Sequence, residues 1–419
     1  MTGLSCITLF SFTHPDSRVY LAAMTTEDHT PLIGNVERSA TVLQVLPALE
    51  AGGGGVERGT CEVAGAIVAA GGRGLVASTG GTLEHELRRV GGEHFDLPVD
   101  TKTPWGIYKN IERLSDLIRK QNVDIVHARS RAPAWSAFYA AKRCNVPFVT
   151  TFHGTYNIGS LLKQRYNAIM TKGERVIAIS RFIAGHIRQY YGVPADKIRV
   201  IHRGVDLARF DPKVVSAQRV VQLANAWRVT EGLPIVMLPG RLTRWKGQTV
   251  FLEALAKLGR QDIRAIIVGS DQGRTDYRAE LEKMIIDLNL AAVVRLVDYC
   301  PDMPAAYMLA DAVVSGSTDP EAFGRVVPEA QALGRPVVAT NHGGPKETLL
   351  ENETGWLCKP GDADSMAEAL AKALSLGEEA RGQLATKAIA NVREHFSKDT
   401  MCAKTLMVYD EVLNLQGRG

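Results

Sequence analysis

A chain of 419 residues is long enough for two domains, and its 45% hydrophobic and 22% charged residues are typical of a globular protein. This composition excludes a largely disordered chain, and no apolar run reaches the roughly 18 residues of a membrane-spanning helix. The formal net charge is only +4. Six cysteines are scattered without a C-x-x-C pair, so we expect reduced thiols rather than a disulfide scaffold or a zinc site.

The charge is unevenly distributed along the chain. Residues 101–212 contain 19 Lys or Arg and 7 Asp or Glu, a balance of +12, whereas residues 1–100 have a balance of −6 and residues 213–419 one of −2. A basic surface attracts nucleic acid, anionic lipid or anionic small molecules. The alternative is a solvated face that acidic neighbours balance in the fold. No nucleic-acid recognition motif accompanies the basic stretch, so no nucleic-acid partner is expected.

Residues 1–39 show no periodicity, and we interpret them as an N-terminal extension that is either disordered or precedes the true start of the protein. From residue 40, short apolar strands alternate with single helical segments. The predicted strands are 42–46, 75–78, 123–126, 148–151 and 176–179, and the predicted helices are 56–70, 83–90, 107–120, 132–141, 161–170 and 182–190. This alternation predicts a parallel sheet with helices on both faces.

The alternation stops at a turn around residues 203–206 and resumes after a helix over about 216–227. The second set of predicted strands is 235–238, 265–268, 294–297, 312–315 and 337–339, with helices near 247–258, 276–288, 303–309 and 326–333. Residues 363–415 are predicted to be helical, with breaks near Gly377 and Phe396. We therefore predict an α/β fold of two doubly wound Rossmann-like domains, 40–212 and 213–395, facing a central cleft, and a final segment 396–419. Such domains bind ligands at the carboxyl ends of their strands.

Two candidate motifs follow strands of the first domain. The run Gly52–Gly55 separates the first strand from the first helix, and Gly54 and Gly55 would let the backbone approach an anion at the helix start. The run is not a dinucleotide fingerprint, because the third glycine position is Arg58. His153 ends a strand, where it could donate a hydrogen bond or move a proton. A mobile loop and a structural histidine are the alternatives.

The second domain opens with two cations at a strand end. Gly240-Arg241 is followed five residues later by Lys246, a spacing that suits a diphosphate because arginine can bind two oxygens. The alternative is that these are ordinary charges on a surface loop, which would give the same sequence pattern.

The most specific motif follows the strand 312–315. Glu321-Ala322-Phe323-Gly324 lies in the loop, and Glu329 lies in the next helix, with seven residues between the two acids. Carboxylates in a cleft accept hydrogen bonds from ribose or sugar hydroxyls, although ordinary solvated acids are the alternative. Pro328 requires this helix to begin near Val326 or Val327. Asp362 and Asp364 have a D-x-D spacing, but they precede a helical run and indicate an N-cap rather than a metal site.

Together these segments resemble the retaining glycosyltransferases of family 4 (glycosyltransferase group 1), of the bacterial lipopolysaccharide or glycolipid type, whose fold is GT-B. The resemblance covers about residues 40–415. It includes the glycine loop, His153, the Arg241 and Lys246 pair, the E-x7-E element, Ser180, residues 204–206, Gly343-Gly344 with Glu347, and residues 355–357. Two positions depart from the family pattern: Pro328 replaces an aliphatic residue, and His202-Arg203 replaces the common Pro-Asn.

The resemblance implies a nucleotide-diphosphate sugar, GDP-mannose or a UDP-hexose, as co-substrate, with no metal or other cofactor required. It implies that Arg241 and Lys246 hold the diphosphate and that Glu329 binds the ribose. The donor sugar would contact Glu321, the Ala322-Phe323-Gly324 backbone and His153. The implied candidate catalytic residues are His153, Arg241, Lys246 and Glu321, and the implied donor-binding residues are Gly54, Gly55, Gly240, Arg241, Lys246, Glu321, Ala322, Phe323, Gly324 and Glu329. The final helix is expected to cross back onto the first domain.

The basic stretch falls in the half that such enzymes use for acceptors. Five of its side chains, expected on amphipathic helices, are candidates for the acceptor or membrane side: Lys109, Arg113, Lys163, Arg165 and Lys172. We therefore expect transfer of a hexose to a hydroxyl of an anionic glycolipid or lipopolysaccharide-core acceptor. The protein would be cytoplasmic and peripherally bound to the inner face of the cytoplasmic membrane. The alternatives are a soluble enzyme of the same fold that makes a small glycoside or glucan, and a non-catalytic module that binds nucleotide sugars.

Overall fold

The computed structural model describes residues 40–50, 55–156, 158–229 and 232–417. The interpretation of residues 1–39 and the role expected of Gly54 lie outside these described residues.

The N-terminal half is built around one parallel sheet. Its strands are β1 (Thr41–Val45), β2 (Arg73–Ser78), β3 (Glu93–Asp96), β4 (Ile125–Ala128), β5 (Phe148–Phe152), β6 (Arg175–Ala178) and β7 (Ile198–Val200). Its helices are α1 (Gly55–Ala69), α2 (Glu84–Arg89), α3 (Pro104–Gln121), α4 (Arg131–Arg143), α5 (Leu161–Asn167) and α6 (Arg181–Tyr191). Within the described residues the strand order is β3-β2-β1-β4-β5-β6-β7, so the chain reverses its direction of winding between β1 and β4.

A second parallel sheet forms the C-terminal half. Its strands are β8 (Ile235–Pro239), β9 (Arg264–Val268), β10 (Val294–Val297), β11 (Ala312–Ser315), β12 (Val337–Thr340) and β13 (Gly355–Cys358). The helices of this half are α7 (Ala217–Ala226), α8 (Gln248–Leu258), α9 (Thr275–Asp287), α10 (Met303–Leu309), α11 (Val326–Ala332), α12 (Pro345–Thr348), α13 (Ala363–Leu374), α14 (Glu378–His395) and α15 (Lys398–Gln416). In the described ranges the order is β10-β9-β8-β11-β12-β13, with the reversal between β8 and β11.

The two doubly wound sheets confirm the predicted fold class, but three strands were missing from the prediction. They are β3, β7 and β13, and each lies at the edge of its sheet. An edge strand buries less surface than a central one, so β3 can have the polar sequence Glu-His-Phe-Asp, which carries no apolar run.

The last helix, α15, packs on the N-terminal sheet. Val42 of β1, Val63 of α1 and Val412 of α15 belong to one buried cluster. Tyr409 shares a 2.7 Å hydrogen bond with Nδ1 of His127 on β4, and Glu411 pairs with Arg175 of β6 at 2.7 Å. A core on the opposite face of the same sheet contains residues of α3, α4 and α6.

Helix ends follow the chemistry of their capping residues. Thr103 accepts a hydrogen bond from the backbone of Gly106, and Pro104 begins α3 behind it. Asp362 accepts from the backbone of Ser365 at 2.9 Å, so this acid caps α13 as interpreted from the sequence. Helix α11 begins at Val326, which places Pro328 in the first turn, as its missing N–H requires.

Candidate active site

The candidate residues lie where each sheet reverses its order. In parallel α/β sheets this switch point opens a crevice at the carboxyl ends of the strands. In the C-terminal sheet the loops after β8 and β11 carry Gly240-Arg241 and Glu321. A Cβ on Gly247 would lie 1.9 Å from the carbonyl oxygen of Gly316, and Gly247 has a φ of 75°. Only glycine lets these two loops meet so closely.

Lys246 and Glu321 form a largely buried ion pair between these loops. Lys246 Nζ lies 2.7 Å from Glu321 Oε1, and the two side chains are 14% and 11% exposed. The Ser317 hydroxyl donates to the same carboxylate oxygen, and the Lys246 ammonium lies 4.4 Å from the centroid of the Trp245 ring. Such partners restrict the ammonium to one place, so the cation is positioned in advance. Arg241 is exposed at the start of the same loop.

Glu329 lies on α11 and is held from both sides. Arg325 Nη2 approaches its Oε1 to 2.8 Å, and the hydroxyl of Tyr307 donates to its Oε2 at 3.1 Å. Burial and the neighbouring Glu329 carboxylate raise the pKa of Tyr307 well above its usual range, so this hydroxyl keeps its proton and remains a donor. Phe323 is buried against the rings of His202 and Phe396, which leaves the loop backbone rather than its side chain for a ligand.

On the N-terminal side, His153 follows β5 and Gly55 begins α1. The Nε2 of His153 is buried and has no hydrogen-bond partner among the described residues. Burial, together with the positive charges of Arg129 and Arg203, lowers the pKa of His153 well below its usual range. The ring is therefore neutral near pH 7 and can offer a hydrogen bond but not a positive charge.

Three arginines in the cleft were not among the predicted site residues. Arg129 follows β4, Arg203 follows β7, and Arg325 immediately precedes α11. Arg129 and Arg203 are only 3% and 7% exposed. The position of Arg129 at the end of a switch-point strand and the departure from the family pattern at Arg203 are the signals that could have found them.

Glu347 of α12 joins the two halves of the protein. Its carboxylate accepts hydrogen bonds from the backbone N–H groups of Arg181 at 2.7 Å and Phe182 at 2.6 Å, at the start of α6. Nε2 of His202 lies 2.9 Å from the same carboxylate. Burial opposes ionisation, but these hydrogen bonds outweigh it and lower the pKa of Glu347. Its charge is therefore held at the N-terminus of a helix, where it is stabilising.

The predicted acceptor-side cations are all exposed in the N-terminal half. Lys109 and Arg113 lie on α3, and Lys163 and Arg165 lie on α5, but Lys172 falls after the 3₁₀ turn Ala168–Thr171 and not on a helix. Large apolar side chains lie beside these cations. Trp105, Leu161 and Leu162 are 65%, 76% and 77% exposed.

In the described part of the chain, no helix is both long and apolar enough to cross a membrane. No group of three or more His, Cys, Asp or Glu in the same residues could hold a metal ion.

Comparisons with known proteins cover both halves. The family model described as "Glycosyltransferase Family 4" matches residues 53–209, and the model described as "Glycosyl transferases group 1" matches residues 222–394. A D-inositol 3-phosphate glycosyltransferase of Xylanimonas cellulosilytica is 30% identical over 308 residues, which cover 68% of this chain and 71% of the relative.

Solved structures extend this similarity to the whole fold. A glycosyltransferase from Rickettsia africae is 38% identical, with a TM-score of 0.83 over 89% of this chain and 98% of that one. Anabaena HepE in complex with UDP and glucose has a TM-score of 0.76 at 23% identity, covering 88% of this chain and 99% of that one. The shared architecture of two facing doubly wound domains is the predicted GT-B fold.

Proposed function

Because this chain belongs to the group 1, family 4 glycosyltransferases, we propose that it transfers a hexose from a nucleotide-diphosphate sugar to a hydroxyl group, with retention of the anomeric configuration. The observation that carries the proposal is the Lys246–Glu321 pair, which lies with Glu329 around the switch point of the C-terminal sheet. A nucleotide-diphosphate sugar needs a cation for its diphosphate and carboxylates that accept hydrogen bonds from its ribose and sugar hydroxyls, and Lys246, Glu321 and Glu329 supply these groups.

Each candidate residue then has a role in holding the donor. Lys246 and the exposed Arg241 bind the diphosphate, and Glu329 accepts hydrogen bonds from the ribose hydroxyls. Glu321 and the backbone of residues 322–324 bind the donor sugar, which His153 contacts from the other side of the cleft. UDP and GDP both remain candidates for the nucleotide. The structural neighbour that carries UDP and glucose supports a UDP-hexose.

The transfer step uses charges that the protein already holds in place. The bond between the anomeric carbon and the diphosphate oxygen breaks, and the electron pair leaves with the diphosphate. The acceptor hydroxyl attacks on the same face, and its proton passes to the departing diphosphate. Lys246 and Arg241 stabilise the negative charge that develops on the leaving group. Because these two side chains supply that charge, we propose that no bound metal is required.

The proposed acceptor is an anionic glycolipid or lipopolysaccharide core at the inner leaflet of the cytoplasmic membrane. Exposed cations on α3 and α5 lie beside exposed aromatic and aliphatic side chains, a combination that favours an anionic membrane surface. Lys109 Nζ lies 5.2 Å from the centroid of the Trp105 ring, so charge and apolar surface occur in one patch. A small acceptor that is turned over without membranes would favour the soluble alternative instead.

A panel of nucleotide sugars tests the donor assignment. We expect one donor to raise the melting temperature by mass action and to be turned over by the full chain. Lys246→Met should lower kcat/KM at least about 100-fold, because it removes a cation aimed at developing charge.

The matched control for this variant is Lys257→Met, which removes an exposed lysine near the C-terminal end of α8 that pairs with Asp364 at 2.7 Å. This control should keep kcat/KM within about twofold. Full activity of Lys246→Met, or the absence of binding and turnover with every donor, would contradict the proposed function.

A further inference from the structure

Three arginines from both halves of the protein converge beside the start of α1. The guanidinium of Arg203 lies against this helix, and its Nη2 donates a hydrogen bond to the carbonyl of Gly55. A Cβ on Gly55 would lie 3.1 Å from Arg203 Nη2 and 3.4 Å from Arg325 Nη1, so these two side chains meet at one residue. Arg129 lies at the end of the neighbouring β4, where its backbone N–H bonds to Val45 of β1 at 2.9 Å.

This arginine cluster, defined as Arg129, Arg203 and Arg325, holds more positive charge than its surroundings balance. Buried cations are normally paired, because desolvation of an isolated charge is costly. Arg325 pairs with Glu329, and Glu62 on α1 offsets part of the remaining charge. The Nε atoms of Arg129 and Arg325 have no hydrogen-bond partner among the described residues.

The members of the cluster are close enough to act on one another electrostatically. Burial and the neighbouring Arg129 guanidinium lower the pKa of Arg203 to about 10. Burial and the same two arginines lower the pKa of His153, whose buried Nε2 also lacks a partner in the described residues. Three of these side chains, Arg129, Arg325 and His153, therefore each have a buried nitrogen atom that no described residue bonds.

We propose that the arginine cluster is a second anion site in the cleft, which binds a phosphate or carboxylate group carried by the acceptor. Guanidinium groups bind such groups through two parallel hydrogen bonds. The resemblance assigns Gly55 at the start of α1 to the donor, so the nucleotide affinity of the arginine variants separates an acceptor site from a donor site. The donor diphosphate has its own cations, Arg241 and Lys246, in the other domain. Two of the three clustered arginines belong to the N-terminal half, which the proposed function assigns to the acceptor.

This inference rests on the proposed function, so its test begins with the donor site filled. The full chain is saturated with whichever of UDP, GDP or ADP binds most tightly, and inorganic phosphate is then titrated by calorimetry. Wild-type protein should bind phosphate in this state. Arg129→Met and Arg203→Met should each weaken phosphate binding at least tenfold and leave the affinity for the nucleotide diphosphate within twofold.

The control and a second variant separate binding from folding. Arg335→Met removes a largely buried arginine that contacts the backbone of Leu333 and Ala310, away from the cleft, and should leave phosphate binding unchanged. Gly59→Ala retains every charge, but its Cβ would lie 2.5 Å from both Nη atoms of Arg203 and would displace that guanidinium. It should reduce phosphate binding as Arg203→Met does, even if a methionine variant fails to fold.

Three results would overturn the inference. The first is that the nucleotide-loaded wild type binds no phosphate. The second is that the arginine variants bind phosphate as tightly as the wild type does. The third is that the variants lose as much affinity for the nucleotide diphosphate as for phosphate, which would assign the arginines to the donor. If no nucleotide binds at all, the proposed function fails separately. The same titrations on the protein alone then still decide whether the arginine cluster binds anions.

Discussion

Glu347→Gln is expected to weaken the connection between the two halves. The carboxylate is 13% exposed and takes part in three hydrogen bonds of 2.6–2.9 Å, with the backbone of Arg181, the backbone of Phe182 and His202. Glutamine keeps the shape but loses the charge, and its amide N–H₂ faces an N–H donor. Bonds to a charged group contribute about 1.5–3 kcal/mol, and an unpaired donor costs about 1–3 kcal/mol. We therefore expect a loss of about 2–4 kcal/mol.

The assay is urea unfolding at pH 7 and near pH 4, with small-angle scattering to detect separation of the halves. Because the folded-state pKa of Glu347 lies below its ordinary value of 4.5, its stabilisation is complete above that value and is lost as the pH falls through the folded-state pKa. The difference between wild type and variant should therefore shrink toward low pH.

Glu353→Gln is the matched control for this variant, because it breaks an exposed pair with Lys387 and should change stability by less than about 1 kcal/mol. If Glu347→Gln unfolds and scatters like wild type at pH 7, the carboxylate does not hold the two halves together.

Three further predictions concern His153 in the cleft, the exposed leucines of α5 and the metal requirement. His153 is neutral near pH 7 because its pKa is lowered, so the pH profile of kcat/KM should contain no ionisation near pH 6.5 that belongs to His153. An ionisation near pH 6.5 that is present in the wild type and absent in His153→Gln would contradict this assignment. The double variant Leu161→Ser and Leu162→Ser should weaken sedimentation with anionic vesicles at low salt at least tenfold, because each leucine side chain that becomes buried in the membrane contributes about 1.5–3 kcal/mol. The control Val221→Ser, on the exposed face of α7, should not weaken it. Dialysis against EDTA should leave turnover unchanged, and restoration of lost turnover by Mg²⁺ or Mn²⁺ would refute the proposed metal independence.

The sequence predicted the central strands and the strand-end motifs because both carry local signals. A central strand such as Ile235–Pro239 is buried on both faces and is therefore apolar throughout. The edge strand Glu93–Asp96 is polar and has no such signal, so it was missed. Lys172 was placed on a helix because the apolar run 161–170 predicts one continuous segment, whereas the structure changes to a 3₁₀ turn at Ala168.

The arginine cluster could not be predicted from any one segment. Arg129, Arg203 and Arg325 are separated by more than seventy residues at each step, and each alone is compatible with an ordinary surface charge. They meet only because β4 neighbours β1 and because the C-terminal half approaches α1. The same is true of Glu347, whose partners lie on α6 and in the segment after β7.

The two sets of cleft cations differ in how the protein compensates them. Among the donor cations, Lys246 is paired with the Glu321 carboxylate, so a donor diphosphate must compete with Glu321 or share its cation. The pairing lowers the cost of burying these charges and keeps them in position. Burial lowers the pKa of both Arg129 and Arg203, and the Arg129 guanidinium lowers the pKa of Arg203 further, so the burial of these two charges is unfavourable until an anion arrives. An anion that binds there therefore relieves repulsion rather than displacing a carboxylate. Neutralising Arg129 should then leave the protein at least as stable as wild type while abolishing the rise in melting temperature that phosphate produces.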